Sequence, residues 1–269
     1  MVTKTDVMAF MGSAKKSSAS HSGNSDEAVR LASAFRGVVR RASEQAPRSQ
    51  QTHLGPSELG VECDRQVVAK LVGLPRTNHV GDPWPSVVGT AVHAWLEDAF
   101  SQDDPVRWLT ERRVAPVDEH PGTADLYDEN TRTVIDHKVL GVTTHNELRT
   151  EGPSRQYFVQ LMLYALGYFR AGYAVDAIAI AAWPRTKSTI NGLYVWHHPI
   201  TQDDWALVRT VLDQTKERKT MADLVGRGLL DIMEIPHTPS RMCFFCPIYR
   251  PEAATDGGYG CPGQNRVRV

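Results

Sequence analysis

The run TVIDHKVLG, residues 133–141, has a carboxylate and an ammonium inside an apolar β-forming stretch. Alternate residues of a strand share a face, so Asp136 and Lys138 point the same way. Burying both costs several kcal/mol unless a metal or a charged substrate completes them. Eleven residues before Asp136 stands a second carboxylate, Asp125, in GTADLY. Asp128 to Thr131 has turn composition, which predicts a hairpin pairing Tyr127 with Arg132 and Asp125 with Val134. Asp136 is then a diagonal neighbour of Asp125 on one face, with Lys138 beside it. Two carboxylates that close repel each other, and a divalent cation such as Mg²⁺ or Mn²⁺ relieves the repulsion. A lysine next to the cation orients or deprotonates an attacking water and stabilises charge on a phosphorane. Those are the parts needed to cleave a phosphodiester.

Around this hairpin the chain alternates helices and strands. Helices are predicted over 26–45, 56–74 (Ser57 as cap, Gly73 near the end), 86–100, 153–172 and 201–221. In 86–100 the apolar face reads Val88, Val92, Trp95, Leu96 and Ala99, which puts His93 on the polar side. Helix 153–172 is apolar nearly all round and therefore buried, yet it holds Gln160 and Tyr164 four residues apart. Thr201 and Asp204 resemble a capping box. Strands are expected over 107–117, 122–127, 132–140, 175–183 and 192–200, giving an α/β mixed sheet flanked by helices and not a regular βαβ winding. A second acid-x-lysine, Glu217-Arg218-Lys219, lies on a polar helix face and reads as a solvated charge run.

The bulk numbers exclude some classes. At 269 residues, 41% hydrophobic and 23% charged, the chain is ordinary for a globular protein. It has no apolar run of membrane-spanning length and no signal pattern at its start, so a cytoplasmic location without membrane contact is expected. A net charge of −1 gives no global field for nucleic acid, so any such surface must be local. Arg185 and Lys187, in a basic loop between two strands, are candidates for phosphate contact. Residues 1–54 read as an extension: a Ser/Lys/Gly-rich linker at 12–25, then one helix. No repeat occurs, and no Gly-rich Walker loop points to a motor.

GTAVHAWLEDAF, GTAD, IDHK and QLMLY follow one another in the order of the motifs of RecB-like nucleases in the PD-(D/E)XK superfamily. Gly89 to His93, Gly122 to Asp125, Asp136 to Lys138 and Gln160 to Tyr164 match in turn, over roughly residues 55–265. The resemblance implies a restriction-endonuclease-like core in 55–269 and a metal-dependent DNA exonuclease acting on single-stranded DNA or duplex ends. It implies that His93, Asp125, Asp136 and the carbonyl of His137 bind Mn²⁺ or Mg²⁺. It gives Lys138 the water or scissile phosphate, and Gln160 and Tyr164 the DNA backbone or the lysine. Glu111 and Glu97 are weaker candidates beside the metal.

Four cysteines remain: Cys63, then Cys243, Cys246 and Cys261 in a Pro- and Gly-rich tail, 236–269. The C-x-x-C spacing suits one metal or cluster, and four thiolates hold Zn²⁺ or an iron–sulfur cluster equally well. One cysteine before the nuclease motifs and three after resembles the four-cysteine group of CRISPR-associated RecB-like exonucleases and their bacteriophage-encoded relatives. In that group a 4Fe-4S cluster joins the C-terminal tail to an N-terminal helix, and SELGVECDR resembles its first cysteine motif, Arg65 included. The fourteen residues before Cys261 are more than is typical there, and zinc stays the alternative. Phe244, Phe245 and Tyr249 are expected to pack around the cluster, with base stacking as the other reading. The alternative function is a non-catalytic DNA-binding adaptor in a recombination or CRISPR-adaptation complex, whose proteins are the partners implied.

Overall fold

Five strands form one mixed sheet in the order β1-β2-β3-β4-β5. They are β1 (Trp108–Val114), β2 (Gly122–Asp128), β3 (Thr133–Leu140), β4 (Ala177–Pro184) and β5 (Tyr194–Pro199). All neighbours pair antiparallel except β3 and β4, which pair parallel from Thr133↔Ala177 to Leu140↔Pro184. A parallel pair needs a crossover, here α5 (Val142–Glu151) and α6 (Arg155–Arg170). β3, carrying Asp136 and Lys138, thus has a hydrogen-bonded neighbour on each side. The structure, a computed structural model, describes residues 26–46, 53–78 and 81–263.

The chain divides into two units, Met1–Glu44 and Gln45–Val269. In the first, α1 (Asp26–Gln45) forms as expected, and Leu31, Phe35 and Val38 on it are exposed. The expected linker at 12–25 lies outside the described residues, as do 264–269 of the tail. In the second unit come α2 (Pro56–Leu59), α3 (Asp64–Leu71), α4 (Trp84–Asp103), α7 (Gln202–Gly226) and α8 (Ala253–Asp256). Among the described residues no helix is long and apolar enough to cross a membrane.

α6 is the central helix. Ser154 caps it, its side chain accepting from Tyr157 N. Val159, Leu161, Met162, Leu163, Ala165 and Tyr168 are buried in the main core. Gly167 permits close approach to β1, since a Cβ there would meet Val114 Cβ at 2.8 Å.

Several local expectations are corrected. The single helix over 56–74 is two, because Gly60 lies against α6: a Cβ on it would sit 2.9 Å from Gln156 Cα and Val159 Cβ. Gly55, not Ser57, is the N-cap of α2, with Pro56 at its first turn. Helix α4 starts at Trp84 and keeps the expected face at Val88, Val92, Leu96 and Ala99, which are buried or half-buried, but not at Trp95, which is 68% exposed while Phe100 stacks on His137. His93, Leu96 and Phe100 share the inward stripe, so His93 is not on the solvent side.

The charge run Glu217-Arg218-Lys219 is also reassigned at its middle residue. Arg218 is fully buried on α7. It donates to Asp64 Oδ1 (2.7 Å) and to the carbonyls of Leu59 (3.3 Å), Val61 (2.7 Å) and Glu62 (3.3 Å). The sequence hides this because the acceptors lie about 155 residues away and are mostly main chain. One guanidinium thereby fixes the segment between α2 and α3 that presents Cys63. Arg218→Met is expected to destabilise the protein by about 3–5 kcal/mol, since a carboxylate and three carbonyls lose their donor. Glu217→Ala, on the exposed face, should change stability by about 0.5 kcal/mol or less. Urea denaturation of both variants checks this.

Candidate active site and cysteine site

β3 and α6 build the centre together. Lys138 Nζ lies 2.6 Å from Asp136 Oδ2 and donates to Gln160 Oε1 at 3.2 Å. Gln160 Nε2 lies 3.2 Å from Asp136 Oδ1 and 3.3 Å from Tyr164 Oη. The Gln160 amide turns its acceptor to the cation and its donor to the anion, which assigns its orientation. Tyr157, one turn before Gln160, sets its ring 4.8 Å from Lys138 Nζ. Sequence reading missed Tyr157; the signal was its i, i+3, i+7 spacing with Gln160 and Tyr164.

The hairpin register differs from expectation by two residues: Tyr127 pairs with Val134 and Asp128 with Thr133. The turn is therefore Glu129 to Arg132, and Arg132 takes a positive φ of 51°. An even shift preserves the face and brings Asp125 level with Asp136. The ladder ends at Leu126↔Ile135, which frees the Asp125 side chain. Its Oδ2 accepts from His137 N at 2.7 Å and stands 3.5 Å from His93 Nδ1. Gly122 is required for packing: a Cβ there would meet Pro56 at 2.7 Å and the Tyr164 ring at 3.0 Å. At Gly89 nothing among the described residues lies within 4 Å of such a Cβ, so none of them demands glycine there.

Glu111 has a larger place than the sequence gave it. Ligand atoms of His93, Glu111 and Asp125 all lie within 4.8 Å of one another. Glu111 drops out of the β1–β2 register, between Thr110↔Leu126 and Arg112↔Ala124, and has a φ of +45°. That left-handed backbone costs about 1–2 kcal/mol for a residue with a Cβ. Glu97 is exposed on α4 and does not join the group. Arg185 lies against Gly141, three residues past Lys138, whereas Lys187 lies against Gly192 in its own loop.

Burial dominates the electrostatics. It pushes the Asp136 carboxyl up to about 6, helped by Asp125 and opposed by Lys138. Burial also works against Lys138, but Asp136 outweighs it and raises the ammonium above its ordinary value. Asp125 is buried too, yet His93, Lys138 and the His137 N–H hold it below the usual carboxylate range. His93 is raised by its contact with Asp125. The His137 ring, on the opposite face, is pushed down to about 4 by burial and accepts from Trp183 Nε1 at 3.3 Å. Asp136 Oδ2 is buried against the Lys138 ammonium. The ligand atoms of the His93–Glu111–Asp125 triple, beside a second carboxylate that interacts with Asp125, suit a hard divalent cation.

The four cysteines come together at a second place. Cys63, Cys243, Cys246 and Cys261 line one cavity with Arg65, His237 and Tyr249. Arg65 is buried and donates to Cys261 Sγ (3.3 Å), Met233 O (2.7 Å) and Ile235 O (3.0 Å). Ser240 N donates to Cys243 Sγ at 3.3 Å. Asn78 Nδ2 donates to Phe244 O (2.7 Å) and Cys246 O (3.1 Å), a tether with no sequence signal. Tyr249 faces the cavity as expected; Phe244 and Phe245 do not, being 51% and 60% exposed.

No protein-family model and no curated protein matches the chain. Solved structures do. An alkaline exonuclease from Laribacter hongkongensis superposes with a TM-score of 0.48 at 11% identity, over 67% of this chain and 95% of that one. The same exonuclease in complex with dAMP gives 0.47 at 13%, over 67% and 94%. A phage-related exonuclease from Haemophilus somnus gives 0.43 at 14%, over 68% and 96%.

The raised Asp136 fixes a sign. Its folded-state value, about 6, exceeds the ordinary 3.8 of an aspartate, so its protonation stabilises the metal-free fold at low pH. That contribution is lost as pH rises through about 6. A cation needs the ionised carboxylate, and neutral His93, so it stabilises more at higher pH. The Mn²⁺-induced rise in Tm is expected to be larger at pH 7.5 than at pH 5 and to shrink in Asp136→Asn. Equal shifts at both pH values would remove Asp136 from the cation site.

Proposed function

We propose that this chain is a Mg²⁺- or Mn²⁺-dependent deoxyribonuclease that hydrolyses phosphodiester bonds from the ends of single-stranded DNA or duplexes. The observation that carries the reading is the convergence of Asp125, Asp136 and Lys138 with His93 in one largely desolvated centre. His93, Asp125, Asp136 and the His137 carbonyl would hold the cation, with Glu111 as a further donor. When bound, the cation polarises a phosphoryl oxygen and lowers the pKa of water.

The chain's own groups do the rest. Lys138, kept charged by Asp136, donates to a non-bridging phosphate oxygen and stabilises the negative charge that builds as water attacks phosphorus. An ammonium has no free lone pair, so Lys138 acts as an electrostatic stabiliser and not as the base. Gln160 holds the carboxylate and the ammonium in register, and Tyr164 holds Gln160. Among the described residues none fills the space at Gly89, one turn before His93, where the DNA backbone would approach α4. We assign the four cysteines a 4Fe-4S cluster. Tetrahedral zinc draws its sulfurs to about 3.8 Å from one another. The described cysteines supply no three ligand atoms within 4.8 Å. A cubane, whose ligands sit on separate irons, holds them farther apart. The donors at Cys261 and Cys243 suit thiolates, and the cluster's role is to tie the tail to α3.

Anaerobically purified protein with Mn²⁺ should degrade end-labelled single-stranded DNA. Asp136→Ala and Lys138→Ala should each slow it by about a hundredfold or more. If wild type binds DNA but leaves it intact, the nuclease reading fails. Purified under the same conditions, the protein should carry about four irons per chain and lose them in Cys246→Ser; stoichiometric zinc instead would refute the cluster.

A further inference from the structure

The spacing of Cys243 and Cys246 forces an unusual exposure. Both cysteines face the cavity from the 3₁₀ turn Arg241–Phe245 and its end, so the two residues between them must face out. Those residues are Phe244 and Phe245, more than half exposed, with Met242 beside them at 59%. The two rings meet edge to face, centroids 5.2 Å apart at 89°, which leaves a ring face open. Asn78 grips the main chain under Phe244 and on to Cys246, so the platform is held in place beforehand.

An exposed arginine stands in the same turn. Arg241, 84% exposed, reaches Glu147 of α5 at 3.1 Å and cancels that carboxylate. Arg149, on the same helix, lies over the Tyr194 ring. Arg185 lies against Gly141, the N-cap of α5. α5 itself begins directly after the strand that carries Lys138. Glu147 stands about 9 Å along the helix from Gly141, at 1.5 Å per residue. α5 thus links the strand that carries Lys138 to Arg241 and the turn that bears the rings.

Resting on the nuclease reading, we propose that Phe244 and Phe245 stack on unpaired bases, with Arg241 of the same turn taking a neighbouring phosphate. Exposed aromatics beside cations fit single-stranded nucleic acid, whose base faces are open; in a duplex those faces are already stacked. A hydrophobic protein partner fits worse, because the apolar patch is small and an exposed arginine borders it.

The test is binding without divalent cation: fluorescence anisotropy of a labelled thymidine oligomer of about twelve nucleotides, within the usual site size. Phe244→Ala/Phe245→Ala should weaken binding about tenfold or more, with duplex affinity and iron content unchanged, and Phe244→Tyr/Phe245→Tyr should restore it. Arg241→Ala should flatten the salt dependence. If the alanine pair binds the oligomer as tightly as a wild type that cleaves DNA, this inference fails alone. If those substitutions abolish a self-association and leave DNA affinity intact, the face belongs to a second copy and the inference is wrong. If wild type neither binds nor cleaves, the nuclease reading fails with it.

Discussion

A carboxylate in a dry place governs this structure. Asp136 is 2% exposed, and the fold surrounds it with strands on two sides and α6 above. Ionised and alone there, it would cost several kcal/mol. Each neighbouring feature reduces that cost or exploits it. Lys138 supplies the counter-charge, Gln160 the hydrogen bond, Tyr164 the anchor for Gln160, and Tyr157 a π-face for the ammonium. Because β3 is hydrogen-bonded to β2 and β4, it cannot slide to relieve the strain of that burial. An end-of-sheet strand would have had that freedom.

The second half of the architecture serves to hold chain ends that have little core of their own. Arg218 and Arg65 are buried arginines whose partners are mostly main-chain carbonyls. One sets the segment before Cys63, the other joins α3 to the segment 233–235 and to Cys261. A planar guanidinium suits this role, since it meets several acceptors at fixed angles without losing its charge. Ile248, Cys246, Cys261 and Ala69 form only a small apolar cluster. Packing alone therefore contributes little here, and directional bonds carry the attachment.

Much of the site is legible in the sequence because its residues lie on regular elements. Asp136 and Lys138 alternate on a strand, and Gln160 and Tyr164 repeat on a helix, so their faces follow from period alone. Where period is weak, the reading slips. The hairpin offset depended on which four residues turn, and Arg132 adopts a positive φ that its side chain does not announce. On α4 Phe100 stacks on the flat ring of His137 while Trp95 stays exposed, a choice between two aromatic residues that period alone does not make. Arg218 and Asn78 were hidden for a common reason. Their partners are main-chain groups or side chains distant in sequence, and a backbone carbonyl is the same in every residue.

The distance between the cysteines along the chain has a consequence during synthesis. Arg65 and Cys261, bonded in the fold, are 196 residues apart. At about 5–20 residues per second, roughly 10–40 s pass between the emergence of Cys63 and that of its last companion. Through that interval the first thiol is made but its site does not exist, while the sheet has time to form. The order of events is then dictated by the ribosome: scaffold first, cysteine site last. Anything that captures Cys63 in the meantime competes with folding, and no downstream contact is yet there to protect it.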